Sequence, residues 1–430
     1  MKNNFFLIQL NEINFNIAFK YSKKYNFKNI NKLYENKLKN YTTSSENNYS
    51  LLEPWIQWVS FYTGLSANDH GIYRLGDITQ SNKELIFEKI ENKGFHVGAI
   101  CPMNAKNNLK RPKYFIPDPW TDTKSDHTYW SKLIHRLISK LVNKNANNSI
   151  SFKDIIYLLL IFLKFVRLKN YFKMMSLALT SFKFKWRKAI FLDILLNEIH
   201  LYLFKKNKPD LSSIFLNAGA HIQHHYFFHS EFHLNPLKKI HNNLLKDPLF
   251  EVLKSYDSIL GDYINLNSSY LILTGLTQSI NPNPKYYYRL KDHKNFLELL
   301  KIKFKKILPR MSRDFVIEFD NSNDASSAEK ILSNIFFSNF ENKKLFDKID
   351  NRGKSLFVTL TYPNKINKDD KIVVNNKLID IFDKVVFVAI KNGIHDPRGY
   401  FFISKNLDQY FKKNELNVKD FNEVISKFFI

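Results

Sequence analysis

The tightest constraint on the fold lies near the start of the chain, where Phe5 to Leu10 (FFLIQL) form an almost unbroken apolar run that ends directly in Asn11 and Glu12. A strand with one wet face alternates apolar and polar residues, whereas a strand apolar on both faces must be covered on both sides, as in the parallel sheets of α/β proteins. Polar groups at the C-terminal end of such a strand stand where open α/β sheets place their sites. The same grammar continues along the chain. Lys83 to Lys93 reads as a helix stopped by Gly94, and Phe95 to Cys101 (FHVGAIC) as the next strand. Further strands are expected at Ser213 to Leu216, Tyr270 to Leu273, Ser355 to Thr361 and Val385 to Ile390. Between the last of these, Lys294 to Leu308 reads as a helix, Arg313 to Phe319 as a short strand, and Ser326 to Phe337 as a helix opened by a serine cap.

From about Ser125 to Asn207 the pattern changes to long helical periodicity, rich in Lys and Arg and nearly devoid of Gly and Pro. This predicts a three-layer α/β/α core with a mostly parallel sheet and a helical insertion. The expected division is residues 1–124 as the first part of the core, 125–210 as a basic helical insertion or cap, and 211–280 as the second part of the core. A small α+β subregion at 281–350 and a C-terminal part of the core at 351–430 complete it. No stretch approaches the roughly 18 uninterrupted apolar residues of a spanning helix. Ile155 to Leu163 comes nearest, and with Lys153, Lys164, Arg167 and Lys169 around it reads as an amphipathic or buried helix.

The formal charge of +25 invites a polyanionic partner, either nucleic acid or an anionic membrane surface. Abundant Lys, Asn, Ile, Phe and Tyr with only 11 Gly is also what AT-rich coding imposes on any protein, so charge alone names no partner. Walker A, dinucleotide-binding, RNA-recognition and zinc-finger signatures are missing, which leaves kinase, NTPase and specific nucleic-acid readings without support. Cys101 is the only cysteine, so no internal disulfide forms and a reducing compartment fits. With no signal peptide read at the start, the expected location is cytoplasmic, with peripheral attachment to the inner face of the membrane as an option.

Four ordered pieces carry a family likeness: FLIQLNEIN (Phe6 to Asn14), EPWIQWVSFYTGLSANDHGIYRLGD (Glu53 to Asp77), NAGAHIQHHYF (Asn217 to Phe227) and NGIHDPRGYFFIS (Asn392 to Ser404). Thr63 to Leu65 followed by His70 to Ile72 is the most specific of them. On these motifs the chain resembles the alkaline phosphatase superfamily, on its type I phosphodiesterase and nucleotide pyrophosphatase side. The resemblance implies an alkaline-phosphatase-like core, with His221 and Asn217 on the histidine and aspartate of one metal motif and His395 on the closing histidine. It puts Asn11, with Glu12 beside it, on the first-strand aspartate, and it puts Gln57 near an asparagine that contacts phosphate. The departures are equally marked. The nucleophile position falls near Pro54, where no hydroxyl stands, and Leu273 to Gln278 lacks the Asp and His of the corresponding family segment. The implied site is a depleted two-metal centre in which His221 and His395 hold one divalent ion, zinc or manganese, or none.

Glu12 and Glu53 are acids, and His221 and His395 bases, suited to proton transfer on a phosphate or glycosyl ester. For Glu12 and Glu53 a merely supporting role is as well founded. His221, His224, His225, His229 and His233 look like a metal depot, but HEXXH is absent, and the reading preferred is a surface helix with His221 as its one functional histidine. Trp55 and Trp58 could stack on a sugar or base while Gln57 orients it, although core packing is the commoner role of Trp. His70, Arg74 and Arg398 lie beside the recognised motifs as phosphate-binding or loop-ordering candidates. Arg289, in Tyr286 to Phe296, could close over an anionic substrate or simply lie at a solvated helix start. The expected substrate is a phosphorylated or nucleotide-linked sugar or a lipid-linked saccharide, hydrolysed or transferred in surface polysaccharide metabolism. The rival readings are a metal-independent glycosyltransferase using a nucleotide sugar and an inactive binding protein of the same fold.

Overall fold

The computed structural model describes residues 4–35, 42–46, 48–143, 151–232, 246–266, 268–310, 313–339 and 343–430. The chain forms two compact units, Met1–Ile280 with Gly393–Ile430, and Asn281–Asn392.

Among the described residues the first unit is built on an eight-stranded sheet. Its strands are β1 (Phe5–Leu10), β2 (Thr42–Ser44), β3 (Val97–Ile100), β4 (Tyr114–Ile116), β5 (Leu211–Leu216), β6 (Ser269–Leu273), β16 (Gly399–Ile403) and β17 (Glu415–Asn417), in the order β17-β2-β16-β6-β1-β5-β3-β4. The five strands β6-β1-β5-β3-β4 are parallel, and β16 joins β6 antiparallel. Every residue of β1 is buried, and the alternation of its side chains sorts them onto two faces. Phe6, Ile8 and Leu10 enter one apolar cluster, and Phe5 and Leu7 the other. The first cluster is covered by α1 (Phe15–Tyr25), α2 (Lys28–Glu35), α9 (Arg187–Asn207), α10 (Ala218–Tyr226) and α11 (Pro248–Ile264). The second is covered by α3 (Pro54–Thr63), α5 (Ile86–Asn92) and α14 (Phe421–Phe428). This is the three-layer α/β/α core expected from FFLIQL. The short helix α4 (Ala67–His70) follows α3 through Gly64, whose φ of 75° is a left-handed helix cap that glycine adopts without strain.

The basic stretch before β5 is helical: α6 (Tyr129–Asn143), α7 (Phe152–Phe165), α8 (Tyr171–Thr180) and then α9. Arg167, at the junction of α7 and α8, donates to Glu198 on α9 and Asp262 on α11, with Nε to Oε2 at 2.9 Å and Nη1 to Oδ1 at 2.8 Å. Glu198 is 1% exposed, and leaving it unpaired would cost about 3–5 kcal/mol, so this contact fastens the insertion to the core. No helix of the described residues is long and apolar enough to cross a membrane.

The second unit begins in β7 (Thr277–Leu290) and ends in β15 (Val385–Asp396). Among its described residues, β8 (Lys306–Pro309), β9 (Asp314–Glu318), β11 (Phe346–Asn351) and β12 (Ser355–Leu360) make an antiparallel sheet in the order β11-β12-β9-β8. The strands β10 (Phe336–Phe337), β13 (Lys371–Val374) and β14 (Lys377–Asp380) make another. The helices are α12 (His293–Leu299) and α13 (Ser322–Ser333). Two expectations are corrected here. The chain does not rejoin the main core at residue 351, because β12 pairs with β9 and β11 and sends Leu356, Val358 and Leu360 into a separate apolar cluster with Phe315 and Ile317. The helix expected to reach Leu308 stops at Leu299, Lys301 turns left-handed at φ 57°, and the alternating residues that follow form β8.

Candidate metal centre

The parallel register brings the C-terminal ends of three strands to one edge, with Leu10 opposite Leu216 and Gln9 opposite Leu273. The ladder extends one step further on each side of β1, as Asn11 N donates to Leu216 O and Glu12 N to Thr274 O. Because β16 runs the other way, its N-terminal end reaches the same edge, and the residues just before it, including His395, arrive beside Glu12.

Glu12 takes a left-handed backbone, φ 59°, which a residue with a Cβ adopts at a cost of about 1–2 kcal/mol and holds only where its surroundings enforce it. Here its carbonyl accepts from Gln223 Nε2 at 2.7 Å. Its carboxylate, 1% exposed, accepts from Asn11 Nδ2 at 3.1 Å on Oε1 and from Gln278 Nε2 on Oε2. Asn11 is itself fixed by Trp58 Nε1, which donates to its Oδ1 at 2.8 Å, and by its own donation to Asn217 Oδ1 at 2.8 Å. Removing the indole N–H would strand a buried carbonyl oxygen at a cost of about 1–3 kcal/mol.

Two imidazoles converge on this carboxylate. Glu12 Oε2 lies 3.3 Å from His224 Nε2 and 3.4 Å from His395 Nε2, and the two Nε2 atoms are 3.4 Å apart. The nitrogens on the far sides of the rings face acceptors. His224 Nδ1 lies 3.4 Å from the carbonyl of Gly393, and His395 Nδ1 lies 3.7 Å from Glu53 Oε2. A carbonyl and a carboxylate both favour the proton on Nδ1, which leaves Nε2 of each ring presenting a lone pair to the same point as Glu12 Oε2. Three electron-rich atoms facing one point repel unless a cation lies between them. Four donors around a tetrahedral ion at 2.0–2.1 Å stand about 3.3–3.4 Å apart, which is the triangle these three atoms make. Two histidines and one glutamate with a fourth position open is also a donor set that zinc accepts in catalytic sites. The residues therefore fit one divalent ion, and the group offers its ligand atoms within 4.8 Å of one another.

His224 replaces His221 in this cluster. His221, the histidine preferred from the sequence for catalysis and metal binding, is exposed and packs its ring on His225 at 4.7 Å, and the cluster does not include it. The turn of α10 decides this. Gly219 is so close to Ile13 and Tyr256 that a Cβ would come within 2.2 Å of Ile13 Cδ1, and Asp193 accepts from Ala218 N at 2.8 Å. Together these contacts hold the helix at one rotation. His233 lies outside the described residues. The amides Gln223 and Gln278 were not singled out from sequence at all. Gln278 falls in the segment where the family likeness led to a search for Asp and His, and nothing in an isolated Gln announces that it will hold a carboxylate. Gly393 makes room for it, since a Cβ there would lie 2.2 Å from Gln278 Oε1.

The remaining candidates separate. Glu53 is the N-cap residue of α3 without capping through its side chain, and its carboxylate reaches His395. Pro54 opens the helix, so no hydroxyl stands at that position. Trp58 is buried with its N–H committed to Asn11, which removes it from a stacking platform, and Gln57, expected to orient a ligand, is buried with its amide N–H donating to Leu51 O at 2.9 Å. Trp55 stays half-buried, donating to Tyr73 O. Arg74 is half-buried and donates to Tyr73 O at 3.2 Å, as a loop-ordering residue does. Arg398 is exposed, and its backbone N–H donates to Asp396. Arg289 belongs to the second unit, where burial lowers its pKa.

His70 is a structural histidine. Its Nε2 is 3.1 Å from Ser60 Oγ, its Nδ1 accepts from Ile72 N at 3.0 Å, and burial pushes its pKa down to about 4. A histidine depressed in the fold stabilises it fully above the unfolded value of about 6.5, and that contribution is lost as pH falls towards 4, to a limit of about 3 kcal/mol. Urea unfolding at pH 7.5 and 4.5 is therefore expected to show a larger acid loss of stability in the native chain than in His70→Gln. Equal losses would mean that the ring is not desolvated.

No family model matches the chain, and no curated protein matches it. Among solved structures it is similar to phosphonoacetate hydrolase from Sinorhizobium meliloti 1021, crystallised with phosphonoformate, at 9% identity and a TM-score of 0.42 over 100% of this chain and 96% of that one. It is similar to murine ectonucleotide pyrophosphatase/phosphodiesterase 5 at 11% identity and 0.39, over 99% and 95%. The human form of that protein gives 11% and 0.38, over 99% and 94%. At TM-scores this low the likeness leaves the function to be argued from the cluster of Glu12, His224 and His395 itself.

Proposed function

We propose that the chain is a metal-dependent hydrolase of phosphoesters in small phosphorylated molecules, working around one divalent cation, zinc or manganese, held by Glu12, His224 and His395. The observation that carries this reading is the triangle of 3.3, 3.4 and 3.4 Å between their ligand atoms at the C-terminal edge of the sheet. A bound cation would supply Lewis-acid polarisation of a phosphoryl oxygen. The side chains divide the remaining work. Asn11 and Gln278 fix the Glu12 carboxylate, and Glu53 orients His395 through Nδ1. With Pro54 where the family likeness puts a hydroxyl nucleophile, the reading favours direct attack by water over a covalent intermediate on the chain. The motifs Thr63 to Leu65 and His70 to Ile72 support phosphodiester rather than glycosyl chemistry. A nucleotide-linked sugar or lipid-linked saccharide remains a narrower form of the proposal, with Trp55 as the one half-open aromatic of its set.

The test is metal analysis of the purified chain combined with turnover of bis(p-nitrophenyl) phosphate and p-nitrophenyl phosphate before and after chelation. One zinc or manganese per chain and turnover lost to chelator, restored by the metal, is expected. Turnover of a nucleotide sugar that ignores chelator would replace this reading with the metal-independent transferase. A loaded protein inert on every phosphoester would leave a binding protein.

A further inference from the structure

The helices α7 and α8 each carry two apolar faces, of which only one packs inward. Ile161 and Phe165 of α7 and Met174 and Leu177 of α8 are buried in the core. On the opposite side of α7, Phe152, Ile155, Ile156, Leu159, Leu160 and Leu163 are all exposed, at the spacing of a single helical stripe. Exposed apolar side chains follow at Leu168, on α8 at Phe172, Met175 and Leu179, and just beyond it at Phe182, of which Phe172 is 87% and Phe182 86% exposed. Soluble proteins seldom leave so continuous an apolar surface open to water unless it meets something.

The charges around this surface say what it meets. Residues 129–207 contain only three acids, Asp154, Asp193 and Glu198. All are buried: Asp154 accepts from Lys140, Asp193 from Tyr256, and Glu198 from Arg167. The exposed charges beside the stripe are cations, Lys153 and Lys164 on α7 and Lys169, Lys183, Lys185 and Lys188 around α8. At 14 residues α7 is too short to span a bilayer, which takes about 20. Large apolar side chains, flanking lysines and no open carboxylate are the properties of a helix pair that lies in the headgroup region of an anionic membrane. We propose that the outer faces of α7 and α8 dock the chain on an anionic lipid bilayer. This docking does not depend on the reading of the metal centre.

The experiment is co-sedimentation of the full chain with vesicles of phosphatidylcholine alone and with about one third phosphatidylglycerol. Binding to the anionic vesicles, at least about tenfold stronger than to the neutral ones and weakened by salt, is expected. The double variant Leu159→Glu/Leu163→Glu and, separately, Phe172→Ser/Phe182→Ser should each lose at least about tenfold in binding while keeping the circular dichroism spectrum of the native chain. Lys183→Glu/Lys185→Glu should lose the preference for anionic lipid. Equal binding by native chain and folded variants would overturn the proposal, as would absence of vesicle binding. A dimer in sedimentation velocity that Leu159→Glu/Leu163→Glu dissociates, with no lipid capture, would assign the face to a second copy of the chain instead.

Discussion

Replacing Glu12 by glutamine is expected to lower bound metal from one ion per chain to less than about a tenth, and to reduce phosphodiester kcat/KM by at least about 10³-fold. Changes to groups that only orient metal ligands typically cost about 10–100-fold, and loss of the sole carboxylate ligand should exceed that. The substitution keeps the side-chain volume and leaves Oε1 to accept from Asn11. It removes the negative charge from a residue only 1% exposed and turns an amide N–H towards the histidines and Gln278. The stability readout separates a ligand from a structural residue. A ligand that binds only the folded chain adds about 2.7 kcal/mol at 100 times its Kd, so the native protein should melt higher with metal than without, and Glu12→Gln should show no such gain. A variant that keeps its metal and its activity would remove Glu12 from the centre.

The fold was legible in the sequence where burial on two faces leaves no alternative. Five of the six residues of FFLIQL are apolar, and the structure sends Phe5 and Leu7 to one layer and Phe6, Ile8 and Leu10 to the other. The helical insertion was legible because its periodicity runs through many turns with almost no glycine or proline. Sheet membership was not. Ser355 to Leu360 reads as a strand from its residues alone, but whether it joins a parallel core or an antiparallel partner is decided by β9 and β11, tens of residues away in some pairings and by a hairpin in others. The same limit applies within the site. Asn11, Glu12, Glu53, Asn217 and His395 were placed at the sheet's edge by their motifs, and the structure brings them together through hydrogen bonds and ion-pair distances. The choice among His221, His224 and His225 depends on how α10 is rotated, and that is set by Gly219 against Ile13 and Tyr256 and by Asp193 at the helix start. None of those contacts leaves a mark in the local sequence.

His224→Ala and His221→Ala therefore form the pair of variants that separates the structure's assignment from the sequence motif's. With His224 removed, Glu12 and His395 remain as two ligands, fewer than the three or four that zinc normally takes, so the expected result is loss of stoichiometric metal and a fall in kcat/KM of at least about 10²–10³-fold. His224 is half-buried on the outer turns of α10, and its truncation should cost the fold no more than about 1 kcal/mol, leaving a folded protein in which the loss can be read. His221 is exposed against His225, and its truncation should leave metal content unchanged and activity within about threefold. The opposite pattern, with metal lost in His221→Ala and kept in His224→Ala, would require α10 to turn by about 60° and slide by about 4.5 Å along its axis, the net of three residues at about 100° and about 1.5 Å each. That shift would bring a residue with a Cβ to the place of Gly219, where Ile13 Cδ1 already lies. Metal analysis of the two variants thus tests the packing of α10 and the identity of the ligand together, because in this fold the one determines the other.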